Sequence, residues 1–170
     1  MSVSLLPGYR ADSLAEISPE FLRNRGICLL LLDFDNTIVP YTTNVPTPEI
    51  AEWLERMKVS DISLCVVSNS RKDRVKRFCQ SWGISCVTRS LKPLGRGIRQ
   101  AMGLFSASPE NTALVGDQIF TDTLGGNLQG LTTILVRPIH NHNFWLRARH
   151  LLEQPLIYLA RNRRIPYEKS

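Results

Sequence analysis

A run of apolar residues that halts on two acids constrains this chain more than any other feature. Ile27 to Leu32 is continuously apolar, and Asp33-Phe34-Asp35-Asn36-Thr37 follows at once. So short an unbroken run predicts a strand buried on both faces, as in a parallel sheet covered by helices. Open sheets of this kind bind ligands at the carboxyl ends of their strands. Successive side chains alternate along an extended chain, so Asp33 and Asp35 share a face only if the strand stays regular through both. A strand end loosening into a turn is the expected geometry. Two carboxylates crowded there repel each other unless a cation or proton sits between them, and a hard, oxygen-binding ion such as Mg²⁺ suits that need. Taken alone, the same five residues also fit a solvated Asp-Asn turn.

The rest of the chain repeats the alternation of strand and helix. Thr47 and Pro48 read as N-cap and first helical position, with Ile50, Trp53, Leu54 and Met57 on one face. A strand over 62–67 runs into Ser68-Asn69-Ser70, a helix over 71–82 stops at Gly83, and a strand over 84–87 precedes Ser90-Leu91-Lys92-Pro93. A helix over 94–104, weakened by Gly95 and Gly97, leads to a strand over 112–115 that enters Gly116-Asp117. A short helix over 121–130 and a fifth strand over 132–136 follow. The pattern predicts an α/β, three-layer, Rossmann-like parallel sheet of about five strands with right-handed crossovers. Residues 1–26 read as a lead-in segment with a helix start at Ser18-Pro19-Glu20, 27–138 as the core, and 139–170 as a tail.

Length and composition place limits on function. With 170 residues, 43% of them hydrophobic and 21% charged, the chain suits one domain with one core. No apolar run approaches the roughly 20 residues of a membrane-spanning helix, and no basic segment leads a long apolar one at the start, so a cytoplasmic protein is expected. Cys28, Cys65, Cys79 and Cys86 lack paired spacing and read as reduced core residues. Between Arg137 and Ser170 lie seven basic residues and two acids, which supply +5 of the net charge of +6.

Four segments together resemble the motifs of the haloacid dehalogenase-like (HAD) phosphohydrolases, in the family's order and each near a strand end. They are Asp33-Phe34-Asp35-Asn36-Thr37, Ser68, Lys92-Pro93, and Gly116-Asp117 followed by Asp122. The resemblance implies a HAD-like fold, with Asp33 as an aspartyl nucleophile and Asp35 as its acid/base. It implies phosphate binding by the Ser68 hydroxyl, the backbone N–H of Asn69 and the Lys92 ammonium. Mg²⁺ is expected on Asp33, Asp117 and the backbone carbonyl of Asp35, with Thr37 fixing the turn and Asp122 acting through water or orienting Lys92. Taken singly, Ser68 also reads as a helix cap, Lys92 as a solvated lysine and Asp122 as a helix N-terminal charge. The stretches 37–68 and 68–92 each hold only one helix and one strand, so no cap domain fits and the site is expected to admit large substrates.

The arrangement is similar to the YqeG branch of HAD subfamily IIIA, itself similar to the phosphatidylglycerophosphate phosphatases of mitochondria and plastids. That resemblance implies a lipid phosphate in phospholipid synthesis as substrate. Two alternatives stay open: a capless phosphatase of a soluble metabolite, nucleotide or phosphoprotein, and a non-enzymatic binding module. The tail interleaves Phe144, Trp145, Leu146, Leu151, Leu152, Leu156, Ile157 and Leu159 with Arg147, Arg149, Arg161, Arg163 and Arg164. It suits either an interfacial segment touching anionic lipid at the inner membrane face or a helix packed on the sheet, and Pro155 is expected to interrupt any single helix there. No nucleic-acid partner is expected, for want of a recognisable motif. His140, His142 and His150 read as surface or tail residues.

Overall fold

A computed structural model describes residues 4–70, 73–139 and 144–166, with side chains outside 144–151. Six parallel strands form one sheet in the order β1-β6-β5-β2-β3-β4. They are β1 (Tyr9–Arg10), β2 (Leu29–Leu32), β3 (Ser63–Ser68), β4 (Ser85–Thr88), β5 (Thr112–Gly116) and β6 (Thr132–Leu135). The expected five are all present, and the sixth, β1, pairs Tyr9 with Ile134 and Arg10 with Leu135 at one edge. Two residues after a Pro-Gly turn carry too little apolar pattern to announce a strand.

The helices are α1 (Pro19–Arg23), α2 (Pro48–Lys58), α3 (Asp73–Trp82), α4 (Arg96–Leu104), α5 (Leu124–Leu128) and α6 (Phe144–Leu159). Side chains of β2 divide the core by their alternation. Leu30 and Leu32 pack with Phe21, Trp53 and Phe78 from α1, α2 and α3, while Leu29 and Leu31 pack with Ile98, Ala101 and Met102 of α4. Three layers result, and a single helix joins β2 to β3 and β3 to β4, so no cap domain interrupts the described residues.

Local chemistry explains these elements. Thr47 accepts the N–H of Ile50 at the start of α2, Pro48 follows it, and Ile50, Trp53, Leu54 and Met57 are all buried. Trp53 Nε1 donates to the Ile17 carbonyl at 2.7 Å, which ties the lead-in segment to α2. Residues beyond β5 depart from the expected helix: Ile119–Thr123 form a π-helical turn, and α5 is only five residues long. Cys65 and Cys79 are buried and Cys86 is half-buried, but Cys28 is exposed, against the expectation that all four sit in the core. It stands just before β2 begins, between Ile27 and Leu29, which are both buried.

Pro155 lies inside α6, a correction to the expected break. Proline has no N–H to donate four residues back, yet the helix continues on the bonds of its neighbours. Glu153 and Ala160 of this segment are buried, whereas Leu152, Tyr158 and Leu159 are exposed. Beyond α6, Arg164 bridges Arg10 in parallel and the N–H of Ile165 donates to the Arg10 carbonyl at 2.8 Å. His140 and His142, and the side chains of Phe144, Trp145, Leu146, Arg147, Arg149, His150 and Leu151, lie outside the described residues.

Candidate active site

Parallel register brings the sequence-distant motifs to one sheet edge. Leu32 pairs with Val66 on one side and Val115 on the other, so Asp33, Ser68 and Asp117 follow within two residues of a common level. The N–H of Asp33 donates to the Val115 carbonyl at 2.9 Å, extending the ladder by one bond. Past that point the chain turns: Asn36 adopts a left-handed φ of 64°, and its side-chain oxygen accepts the N–H of Tyr41.

Lys92 is the centre of the site. Its side chain is 1% exposed, and Nζ lies 2.7 Å from Asp33 Oδ1 and 2.7 Å from Asp122 Oδ1. A buried ammonium must be paired, and here two carboxylates pair it. Burial by itself lowers the affinity of this lysine for its proton, but the charges of Asp122 and Asp33 and their hydrogen bonds outweigh it and raise its pKa. Asn69 fixes the segment carrying Lys92. Its Oδ1 accepts from Ser90 Oγ at 2.7 Å and from the Lys92 N–H at 2.8 Å, while Nδ2 donates to the Lys92 carbonyl at 3.0 Å.

Asp33, Asp117 and Asp122 each offer an oxygen within 4.8 Å of the others, and all three are buried. Asp117 Oδ1 is buried and finds no hydrogen-bond partner among the described residues. Burial, then the charges of Asp33 and Asp122, push the Asp117 carboxyl well above the usual range. Asp122 is pushed up to about 6, by burial first; Lys92 counteracts and Asp33 adds to it. The burial and mutual repulsion that shift Asp117 and Asp122 upward are relieved by further positive charge, which a divalent cation supplies. Gly116 is required beside this cluster, because a Cβ there would run into the Asp122 carboxylate.

The remaining expected residues lie around this centre. Ser68 is buried at the end of β3, and its hydroxyl accepts the N–H of Ser70 at 3.1 Å. Thr37 is buried within the turn. Asp35 is half-buried and pairs with Arg74 Nη1 at 3.2 Å. Arg74 also donates to the carbonyls of Tyr41 at 2.8 Å and Thr43 at 2.6 Å, so it ties the Asp35 turn to α3. Nothing in the sequence marked Arg74, since a cation on a helix is ordinarily solvated. Glu153 was equally unmarked. Buried on α6, its Oε1 accepts the N–H of Ile119 at 3.0 Å and of Phe120 at 3.2 Å, holding the turn that carries Asp122. The one signal for it was an acid standing among the apolar and basic residues of 144–164.

A sequence profile of the Mitochondrial PGP phosphatase family matches residues 2–140. The chain belongs to that family. This member of the Mitochondrial PGP phosphatase family is 37% identical over 134 residues to a protein named Probable phosphatase YqeG from Bacillus subtilis (strain 168), an alignment covering 79% of this chain and 78% of that one. It is 27% identical over 145 residues to Phosphatidylglycerophosphate phosphatase 1, chloroplastic/mitochondrial, from Arabidopsis thaliana, covering 79% of this chain and 41% of that longer protein. Among solved structures, it shares a fold with a Legionella pneumophila protein assigned to the HAD superfamily (subfamily III A), with a TM-score of 0.52 at 10% identity over 85% of this chain and 93% of that one. This family member is therefore a phosphatase, a phosphoric monoester hydrolase. No helix among its described residues is long and apolar enough to cross a membrane.

Proposed function

We propose that this phosphatase removes the terminal phosphate of phosphatidylglycerophosphate through an aspartyl-phosphate on Asp33, with Mg²⁺ as cofactor. The observation that carries the reading is the charge arrangement: Lys92 buried between Asp33 and Asp122, beside an Asp117 oxygen with no hydrogen-bond partner among the described residues. That unsatisfied oxygen and the all-oxygen donor set fit Mg²⁺, which Asp33, Asp117 and the backbone carbonyl of Asp35 would hold. When bound, the ion draws negative charge from the phosphoryl oxygens.

In the first half-reaction a carboxylate oxygen of Asp33 attacks phosphorus, and the bond from phosphorus to the ester oxygen breaks. Asp35 gives its proton to that leaving oxygen. In the second, water attacks the same phosphorus, passes a proton to Asp35, and releases inorganic phosphate from Asp33. The Ser68 hydroxyl and the Asn69 N–H hold phosphoryl oxygens, Lys92 balances their charge, Asp122 orients Lys92, and Thr37 sits in the turn that presents Asp35. Arg74 fixes the direction of Asp35.

The lipid substrate draws support from the family's name, from the name of the Arabidopsis relative, and from the absence of a cap over the site in the described residues. Peripheral contact with anionic membrane is part of the same reading, supported by exposed Leu152, Tyr158 and Leu159 beside Arg161. The test is release of phosphate from phosphatidylglycerophosphate with and without Mg²⁺, beside a panel of soluble esters. Turnover of the lipid that needs Mg²⁺ and vanishes in Asp33→Asn is the expected result. Wild-type turnover by Asp33→Asn rules out the nucleophile, and activity confined to soluble esters replaces the lipid with a soluble substrate.

A further inference from the structure

A cavity opens beside the carboxylate cluster, on the same sheet edge. It encloses about 420 Å³, with Asp117 at one end, Arg10 and Arg137 in its wall, and Val136, Gln154 and Ile157 among its other lining residues. The lattice of backbone bonds explains why these groups meet. Val136 N–H donates to the Gly116 carbonyl and Ala11 N–H to the Leu135 carbonyl, so the ends of β5, β6 and β1 lie side by side. Asp117, Arg137 and Arg10 each stand at the end of one of these strands or one or two residues past it. The outer wall comes from α6, which lies beyond the 2–140 span of the family match.

Charge around this cavity does not balance. Arg137 Nε pairs with Asp12 at 2.8 Å, Arg164 contacts the same carboxylate, and Glu16 is 4.0 Å from Arg164. Arg10 donates to the Ile157 carbonyl at 3.1 Å and stands among these groups. Three guanidinium groups thus meet the two carboxylates of Asp12 and Glu16, while the third carboxyl at the cavity, Asp117, belongs to the carboxylate cluster. The strain registers at Arg10, whose pKa is lowered by burial first and then by Arg137, with Asp12 only partly compensating. Excess positive charge against a partly apolar wall favours an anionic ligand group, and arginine matches phosphate oxygens with its planar fork.

We propose that Arg10 and Arg137 form a second anion subsite that reads a non-scissile phosphate, so that the enzyme prefers phosphomonoesters carrying a phosphodiester a few atoms from the scissile group. Spacing agrees with this. The strand ends bearing Asp33 and Arg137 are two strand separations apart, about 10 Å, a separation of the order spanned by two phosphates joined by a short polyol bridge. The proposal rests on the phosphatidylglycerophosphate reading for the class of ester, and it adds the group by which that ester is chosen.

The experiment measures inhibition of p-nitrophenyl phosphate hydrolysis by two soluble esters, glycerol 3-phosphate and deacylated glycerophosphoglycerol phosphate, and turnover of the acylated lipid in mixed micelles. In the wild type the two-phosphate headgroup should inhibit at least tenfold more tightly than glycerol 3-phosphate. Arg137→Gln should erase that advantage about tenfold and weaken lipid turnover through KM, while Arg137→Lys, which keeps the charge but not the planar fork, should restore part of both. An Arg137→Gln enzyme whose preference between the two soluble esters is unchanged overturns the subsite. So does a defect seen with the micellar lipid but not with its deacylated headgroup, which assigns the arginine to the lipid surface. Should the wild type ignore the lipid yet keep an Arg137-dependent preference among soluble esters, the subsite stands and the lipid reading falls.

Discussion

Replacing Lys92 with Met, close to it in length but uncharged, tests the charge arrangement of the site. Each 2.7 Å contact of Nζ, with Asp33 and with Asp122, corresponds to about 6 kcal/mol of attraction at an effective dielectric near 20. Most of that gross attraction is offset by the desolvation of three buried groups. What remains after one partner is removed is the cost of leaving buried carboxylates uncompensated, about 3–5 kcal/mol. For a domain of this size that equals a fall in Tm of about 6–20 °C. Urea unfolding followed by circular dichroism, in EDTA at pH 8, measures it. The loss should shrink as pH falls toward 5, because protonation of Asp122, whose carboxyl is pushed up to about 6, removes the repulsion that Lys92 had balanced. Adding Asp122→Asn to Lys92→Met should recover part of the stability, giving a coupling of about 2 kcal/mol in the double-mutant cycle. A single-variant loss below about 1 kcal/mol, or strict additivity in the cycle, refutes the claim that this lysine holds the cluster together.

Mg²⁺ affinity should weaken as pH falls, by up to about tenfold per pH unit for each proton displaced, because the Asp117 carboxyl, held well above the usual range by burial and by the charges of Asp33 and Asp122, must lose its proton to take the ion; calorimetric titration between pH 5 and 8 checks this, and a flat affinity contradicts it. Glu153→Ala should cost about 2–3 kcal/mol by leaving the Ile119 and Phe120 amides without their charged acceptor, and hydrogen exchange should locate the faster-opening amides in that turn; Glu153→Gln should keep most of the protection. Trp53→Phe should cost about 1–3 kcal/mol, because it strands the buried Ile17 carbonyl, and a fluorescence-independent unfolding curve reads it directly.

The sheet was legible wherever an apolar run was long enough to declare burial on both faces, as at Leu29–Leu32 and Thr112–Gly116. Strand β1 was not, because two residues at an edge need no apolar pattern. The convergence of Asp33, Ser68, Lys92 and Asp117 was legible because each followed a run or turn that parallel pairing sends to the same side. Three features were not. The Asn69 side chain grips the Lys92 segment, a contact between loops that no periodicity encodes. Arg74 reaches Asp35 and three carbonyls from a helix whose sequence reads as an ordinary amphipathic one. Glu153 is buried only because α6 folds back onto the π-helical turn, and a proline in that segment argued against the helix itself. Local pattern reports what a segment buries, whereas these three depend on what arrives from elsewhere.

The pairing of residues 164 and 165 with Arg10 bears on how the molecule behaves in a crowded solution. A sheet margin left open offers its amides and carbonyls to any passing chain, and growth by such additions is how folded proteins begin to aggregate. Here the margin is only two residues long, and the chain's own returning segment already occupies part of it. Shortening the protein to its enzymatic core would therefore remove a guard as well as a helix, and the trimmed version should be the stickier of the two.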